Sequence, residues 1–289
     1  MKYLLMITLS LMMLNISGQS SEDTQEWDVD VSDMKQVLLF NKEGNVKITG
    51  TSGDRVKIKV KRKLKAKTKA KLTKAKQEIY LDTMMIEGNL YFFVQNPYTI
   101  LEMDKIGGNA WYNSRDPGKW RWNSHGDRDV HWEMTIEMQV PRNMPLRAYT
   151  HKKDLHISGV TGMLNAGVHH GSLNLKDVKN IESASGHHGD IAVSFSDQPD
   201  VDGKFDTHHG DIKLEFPSAP SAKVSMDSHH GSFYTDFDWS PMALKTTKSK
   251  SKKGTTYRVG DGTSVQFGGG AHDIKMHSHH GDMYILRRS

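Results

Sequence analysis

His169-His170-Gly171-Ser172-Leu173, His187-His188-Gly189-Asp190-Ile191, His208-His209-Gly210-Asp211-Ile212, His229-His230-Gly231-Ser232-Phe233 and His279-His280-Gly281-Asp282-Met283 are five copies of one phrase. Each opens an alternating apolar run: Leu173-x-Leu175, Ile191-x-Val193-x-Phe195, Ile212-x-Leu214-x-Phe216, Phe233-x-Thr235-x-Phe237 and Met283-x-Ile285. A period of two marks a strand with one buried face. The first histidines of successive copies lie 18, 21, 21 and 50 residues apart, and a degenerate sixth copy, His151-Lys152-Lys153-Asp154-Leu155-His156-Ile157, sits 18 residues upstream. A repeat near 20 residues is the mark of a stacked architecture. The spacing predicts an all-β chain, a parallel β-solenoid (β-helix) of ~18–21-residue coils with a short N-terminal helix insertion.

The long last gap exceeds a 21-residue coil by 29 residues. It holds Lys248-Ser249-Lys250-Ser251-Lys252-Lys253-Gly254 between two short strand-like pieces, which reads as a basic hairpin inserted at 240–262, before Val265-Gln266-Phe267 and Gly268-Gly269-Gly270 bring the chain back. Upstream, Val130 to Val140 alternates again. The segment 104–129 carries Trp111, Trp120 and Trp122; it suits a sugar-stacking or docking loop, or a cover over the end of the core. Glu87-Gly88-Asn89 between two apolar strands predicts a β-hairpin.

From Arg55 to Lys76 there are twelve Lys or Arg and no Asp or Glu. A strand over Val56–Val60 followed by an amphipathic basic helix over 61–76 fits this stretch, facing either an anionic partner or plain solvent. The acidic stretch 20–34 reads as a flexible lead-in. Lys2 and the apolar run Tyr3 to Leu14 form a secretory leader over 1–19, too short to span a bilayer. The organisation is then a strand and helix unit with the Trp-rich loop at 35–140 and the repeats at 141–289.

Cysteine is absent, so disulfides, thiolate metal sites and a cysteine nucleophile are excluded. The net charge of +5 becomes +4 without Lys2, a mild excess. Export makes nucleic acid an unsuitable partner. The expected location is the periplasm, the outer-membrane surface or the exterior.

Stacked strands place equivalent histidines in rows about 4.8 Å apart. If the pleat continues back through the glycine, the first histidine of each pair faces inward, and a corner at the glycine would reverse this. The first arrangement leaves His170, His188, His209, His230 and His280 outward, beside Asp190, Asp211 and Asp282. Three outcomes are open. The rows can be a ladder of stacked, hydrogen-bonded imidazoles. Those outward histidines and aspartates can ligate zinc, nickel or copper at exchangeable sites. Protonation near the reference pKa of about 6.5 can load the rows with like charge.

Val140-Pro141-Arg142-Asn143-Met144-Pro145-Leu146, Leu155-His156-Ile157-Ser158-Gly159-Val160-Thr161-Gly162, the repeated Gly-Asp-Ile and the late triple glycine together resemble the exported bacterial β-strand-repeat adhesin domains, a family of unknown function. The resemblance covers roughly residues 35 to 286. It implies an exported, adhesin-like binding or structural surface and a cell-surface polymer, polysaccharide or anionic surface as partner. This chain departs from the pattern in its paired histidines. A polysaccharide-active enzyme is the weakest reading, because the same residues recur evenly and no nucleophile, phosphate-loop or metalloprotease motif is present.

Overall fold

The computed structural model describes residues 19–97, 99–100, 121–122, 129–243, 246–251, 254–259 and 263–288. The expected leader, apart from its last residue, and most of the Trp-rich loop lie outside the described residues. The chain divides into two compact units, Met1–His156 and Ile157–Ser289. No described helix is long and apolar enough to cross a membrane.

Unit one holds β1 (Ser20–Asp30), β2 (Gln36–Glu43), β3 (Val46–Thr51), β4 (Arg55–Ala66), α1 (Lys69–Glu78), β5 (Tyr80–Ile86), β6 (Asn89–Gln95), β7 (Thr99–Ile100), β8 (Arg121–Trp122), β9 (Val130–Pro141) and β10 (Leu146–Lys152). β11 (Leu155–Ser158) spans the boundary. Along β1-β4-β9-β3 the first two pairings are antiparallel and the last is parallel. Along β10-β2-β6-β5 two parallel pairings precede an antiparallel hairpin. That hairpin turns at Glu87 and Gly88, both at positive φ, the two-residue geometry that matches strand twist.

Two expectations change here. The stretch 20–30 is a strand paired along its whole length with β4, from Ser20↔Lys65 to Asp30↔Arg55, in place of a flexible lead-in. β4 also runs on to Ala66, and the helix starts only at Lys69, where the Thr68 hydroxyl accepts the Lys71 N–H. The apolar alternation, Val56, Ile58, Val60, Leu64 and Ala66, continues beyond Val60 and is buried throughout. The lysine face of β4 is matched from both sides: Glu22, Glu26 and Asp28 stand opposite it on β1, and Glu133 and Glu137 on β9. Lys59 reaches Glu26 at 3.3 Å and Arg55 reaches Asp28 at 2.6 Å. Cross-strand charge pairs of this kind stabilise a sheet, and they overrode the helix propensity of the lysines.

Arg62 is the one charge in the buried phase of β4. It pairs with both Asp23 oxygens and donates to the Lys76 and Ile79 carbonyls, so it ties β1 and β4 to the C-terminal end of α1.

Unit two holds β12 (Leu164–His170), β13 (Leu173–Val178), β14 (Ile181–His188), β15 (Ile191–Phe195), β16 (Gly203–His209), β17 (Ile212–Phe216), β18 (Ala222–His230), β19 (Phe233–Thr235), β20 (Ser240–Pro241), β21 (Thr246–Ser251), β22 (Gly254–Val259), β23 (Thr263–Phe267), β24 (His272–His280) and β25 (Met283–Arg287). β13-β15-β17-β25-β19 are parallel neighbours. So are β12-β14-β16-β24-β18, after which β23 and β20 join antiparallel. β21 and β22 pair antiparallel with each other.

The chain is all-β as expected, but the parallel β-solenoid is overturned. The sheets of both units mix parallel and antiparallel strands, and strand order departs from chain order: β24 lies between β16 and β18, and β25 between β17 and β19. A coil that stacks only on its predecessor cannot give this arrangement. The segment after Phe237 lets the chain double back, so its last strand pair enters the middle of the row.

The core of unit two is built from rows of equivalent residues. Leu173, Ile191, Ile212 and Met283 are all buried, as are Leu175, Val193, Leu214 and Ile285. Phe195 stacks on Phe216 with ring centroids 4.5 Å apart. Each such side chain contributes roughly 1.5–3 kcal/mol by leaving water. The core therefore fixes the strands that carry the histidines.

Candidate functional site: two rows of stacked imidazoles

Each His-His-Gly phrase sits where a strand of one sheet hands over to the next strand of the other. The glycine makes that corner: Gly210 has φ +147, and a Cβ there would collide with the Gly189 carbonyl. Backbone bonds lock neighbouring corners together, Gly189 N–H to the His209 carbonyl at 2.8 Å and Gly210 N–H to the His280 carbonyl at 2.9 Å.

The first histidines form one stack in the order His169, His187, His208, His279, His229. Their centroids are 4.6, 5.1, 4.9 and 4.7 Å apart. The second histidines form another, His170, His188, His209, His280, His230, at 4.8, 5.2, 5.0 and 4.9 Å, with neighbouring planes within 6° of parallel. Within a pair the rings meet edge to face, as in His208 and His209 at 4.2 Å and 78°. Three pairs, His169 and His170, His187 and His188, and His279 and His280, have a half-buried first ring and an exposed second; His208 and His209 are both half-buried and His229 and His230 both exposed.

Three further rows support the imidazoles. Asp190 Oδ1 accepts the Asp211 N–H, Asp211 Oδ1 the Asp282 N–H, and Asp282 Oδ1 the Ser232 N–H, at 2.9, 2.8 and 2.7 Å. The candidate aspartates thus satisfy the backbone of the adjacent corner. The residue before the pair adds a hydroxyl row that the sequence reading missed: Thr207 donates to the Gly189 carbonyl, Ser278 to that of Gly210 and Ser228 to that of Gly281. Its signal was the Ser or Thr preceding three of the five His-His pairs. The glycines, stacked carbonyl against Cα, are the third row.

The electrostatics follow from the packing. Burial, then the neighbouring imidazoles His170, His187 and His188, push His169 down to about 4. Burial and like neighbours also hold His187, His209 and His279 below the ordinary imidazole value, and no carboxylate figures among the causes for any of the four. The Nδ1 atoms of His208 and His279 are buried without a hydrogen-bond partner. An orphaned N–H costs more than an orphaned lone pair, which places the proton of the neutral His279 ring on Nε2.

The candidate ligands therefore fall into two rows, His170, His188, His209, His280 and His230 in one and Asp190, Asp211 and Asp282 in another. Imidazole lone pairs lie in the ring plane, and parallel planes do not converge. Two neighbours in the outer row share an ion only if they turn out of the stack.

No protein-family model matches the chain, and no curated protein matches it. Among solved structures, a candidate cell adhesion protein from Clostridium sporogenes aligns at 11% identity over 93% of this chain and 100% of its own, with a TM-score of 0.38. A candidate adhesin from Bacteroides fragilis aligns at 10% identity over 93% of this chain and 98% of its own, TM-score 0.26. A candidate lipid binding protein from Parabacteroides distasonis gives 10% identity over 94% and 98%, TM-score 0.26. Scores this low carry neither fold nor function across.

Proposed function

We infer that this is an exported, non-catalytic binding protein that presents a rigid, repetitive surface to an extended polymer at the cell exterior. The supporting observation is evenness: one set of side chains recurs in one geometry on five strands. Catalysis needs a single constellation with one group set apart by its environment. In the corners, by contrast, each aspartate does the same backbone-capping work as the next. Equivalent sites at fixed spacing suit multivalent contact, in which weak contacts add through effective concentration.

The test is retention of labelled mature protein on bacterial cells and isolated cell-wall glycans at pH 7.5. Deletion variants lacking Lys245–Lys253 or Trp111–Trp122 run beside it. Saturable binding, weakened by at least one deletion, is expected. Absence of binding to every surface would overturn the reading.

A further inference from the structure

We propose that a groove on the outer face of β1, β4, β9 and β3 binds a neutral glycan chain through its hydroxyls. This rests on the reading of the protein as a polymer-binding surface, places the ligand in unit one and uses none of the row histidines. The groove has a volume of about 540 Å³, within the range of ligand sites. Four neighbouring strands line it, so it crosses three inter-strand steps, roughly 14 Å. Period-two alternation builds it. Val56, Ile58 and Val60 turn into the core and leave Lys57 and Lys59 outward; Ile136, Met138 and Val140 do the same for Glu137 and Gln139, and Val46 and Ile48 for Lys47 and Thr49.

Strand register sets these side chains in two rows across the sheet. One runs Asp28, Lys57, Gln139, Thr49 and the other Glu26, Lys59, Glu137, Lys47. Two of the carboxylates are already engaged, Asp28 with Arg55 at 2.6 Å and Glu26 with Lys59 at 3.3 Å. Lys47, Thr49, Lys57, Glu137 and Gln139 make no side-chain hydrogen bond or ion pair among the described residues. Glu137 shows this most clearly: it stands between two lysines, yet Lys59 turns to Glu26 and Lys47 forms no ion pair. β4 is paired along both edges, which holds the lining in place before a ligand arrives.

The free groups select the ligand class. Lys47 and Lys57 donate, Glu137 accepts, and Gln139 and Thr49 do both, so donors and acceptors interleave at cross-strand distances of about 5 Å. A sugar hydroxyl donates and accepts at once, and two neighbouring hydroxyls on a ring match the N–H and the carbonyl of the Gln139 amide. Charge counts against polyions: Glu26, Asp28 and Glu137 balance Lys47, Lys57 and Lys59 along the groove, so neither a polyanion nor a polycation meets an opposite net field. An apolar ligand would strip water from the unpaired charges and give no hydrogen bond in return.

The experiment is NMR titration of the mature protein at pH 7.5 with the neutral hexasaccharides of cellulose, laminarin, xylan and chitin. Polygalacturonate and an alternating Glu-Lys peptide serve as counter-probes. The groove variant carries Lys57→Thr, Glu137→Thr and Gln139→Thr; these side chains are exposed and threonine suits a strand, so the sheet is kept. The control variant carries Lys61→Thr and Glu133→Thr, on the same two strands but outside the lining. Melting temperatures of both variants check the fold.

Saturable binding of at least one hexasaccharide is expected, with amide shifts centred on β3, β4 and β9. Affinity should fall about tenfold or more in the groove variant, the scale of one lost hydrogen bond to a charged group, and hold in the control. It should change less than about twofold between roughly 50 and 500 mM salt, as screening leaves a neutral ligand untouched. In the unmodified protein the shifts alone locate the site, whether or not the groove variant folds. No binding of any hexasaccharide, shifts centred elsewhere, equal loss in the control variant, or tighter binding of the polygalacturonate or the peptide would each overturn the inference. Retention on cells or cell-wall glycans that the groove variant keeps in full would sink this inference and leave the broader reading standing.

Discussion

Acidification from pH 7.5 to 4.5 should destabilise the ladder-bearing unit. His169, His187, His209 and His279 all have folded pKa values below the unfolded value of about 6.5. The unfolded chain therefore binds more protons in that interval. Stability is fully present above about pH 6.5 and is lost as the pH falls towards about 4, where His169 titrates in the folded state.

For His169 the difference corresponds to about 3 kcal/mol at its full value, which solvent screening of a half-buried ring reduces to roughly 1–2 kcal/mol. Coulomb repulsion gives a similar scale. Two charges 5 Å apart repel by about 0.8 kcal/mol in water and about 3 kcal/mol at an effective dielectric of 20.

The assay is urea or thermal unfolding across pH 4.5–7.5, with imidazole shifts followed by NMR. A fall in melting temperature of at least ~5 °C is expected for a unit of this size. Asp30 and Asp200, held low by Ser32 and Lys179 respectively, contribute only below about pH 4, so their window is separate. Flat stability over the interval, or His169, His187, His209 and His279 titrating at about 6.5 or above, would refute the reasoning.

Gly210→Ala should cost roughly 3–5 kcal/mol, combining strain at positive φ with a clash on the Gly189 carbonyl. Gly53→Ala, at φ +120 with open space around it, should cost roughly 1–3 kcal/mol, and chemical denaturation of both separates the two terms. Asp211→Ala should lose about 1–3 kcal/mol, whereas Asp211→Asn, which keeps an acceptor for the Asp282 N–H, should lose under about 1 kcal/mol by the same assay. Arg62→Met leaves Asp23 and two carbonyls without their donor; about 3–5 kcal/mol of unit-one stability should go, seen as an earlier unfolding transition. Zinc, nickel and copper titrations at pH 7.5 should show no micromolar binding that depends on His188, His209, His230 and His280 while the stacks persist. Micromolar binding lost when these four are changed to Asn would show that the rings turn outward to meet an ion.

Much of this was legible in the residues. Period-two alternation located the strands, Glu87-Gly88 located a hairpin, and the repeated phrase placed the histidines in rows. The strand order was not legible, for a reason built into the repeat. When His208, His229 and His279 present the same phrase, each offers the same surface to any neighbour, and local pattern cannot say whether β18 or β24 stacks on β16. The lysine run misled for a related reason. Its strand character depends on acids at Glu22, Glu26, Glu133 and Glu137, far away in sequence. The hydroxyl and carboxylate rows were hidden because a Ser, Thr or Asp in a turn commonly bonds its own neighbours, and only the stack reveals that the partner is the next corner.

The place of β24 and β25 has a consequence for how the protein is made. β24 and β25, made after β18 and β19, lie between β16 and β18 and between β17 and β19. During synthesis β18 and β19 have no final neighbour, and pairing them directly on β16 and β17 would be a plausible trap, since the phrases match. The unit cannot be assembled residue by residue from its N-terminal side. It must wait for Met283 to Arg287, and the long-range pairing slows folding. A chain truncated before His272 should therefore lack His279 and His280, the fourth ring of each stack. Synthesis of β24 and β25 works as a built-in check, since only molecules that carry them can close the row between β16 and β18.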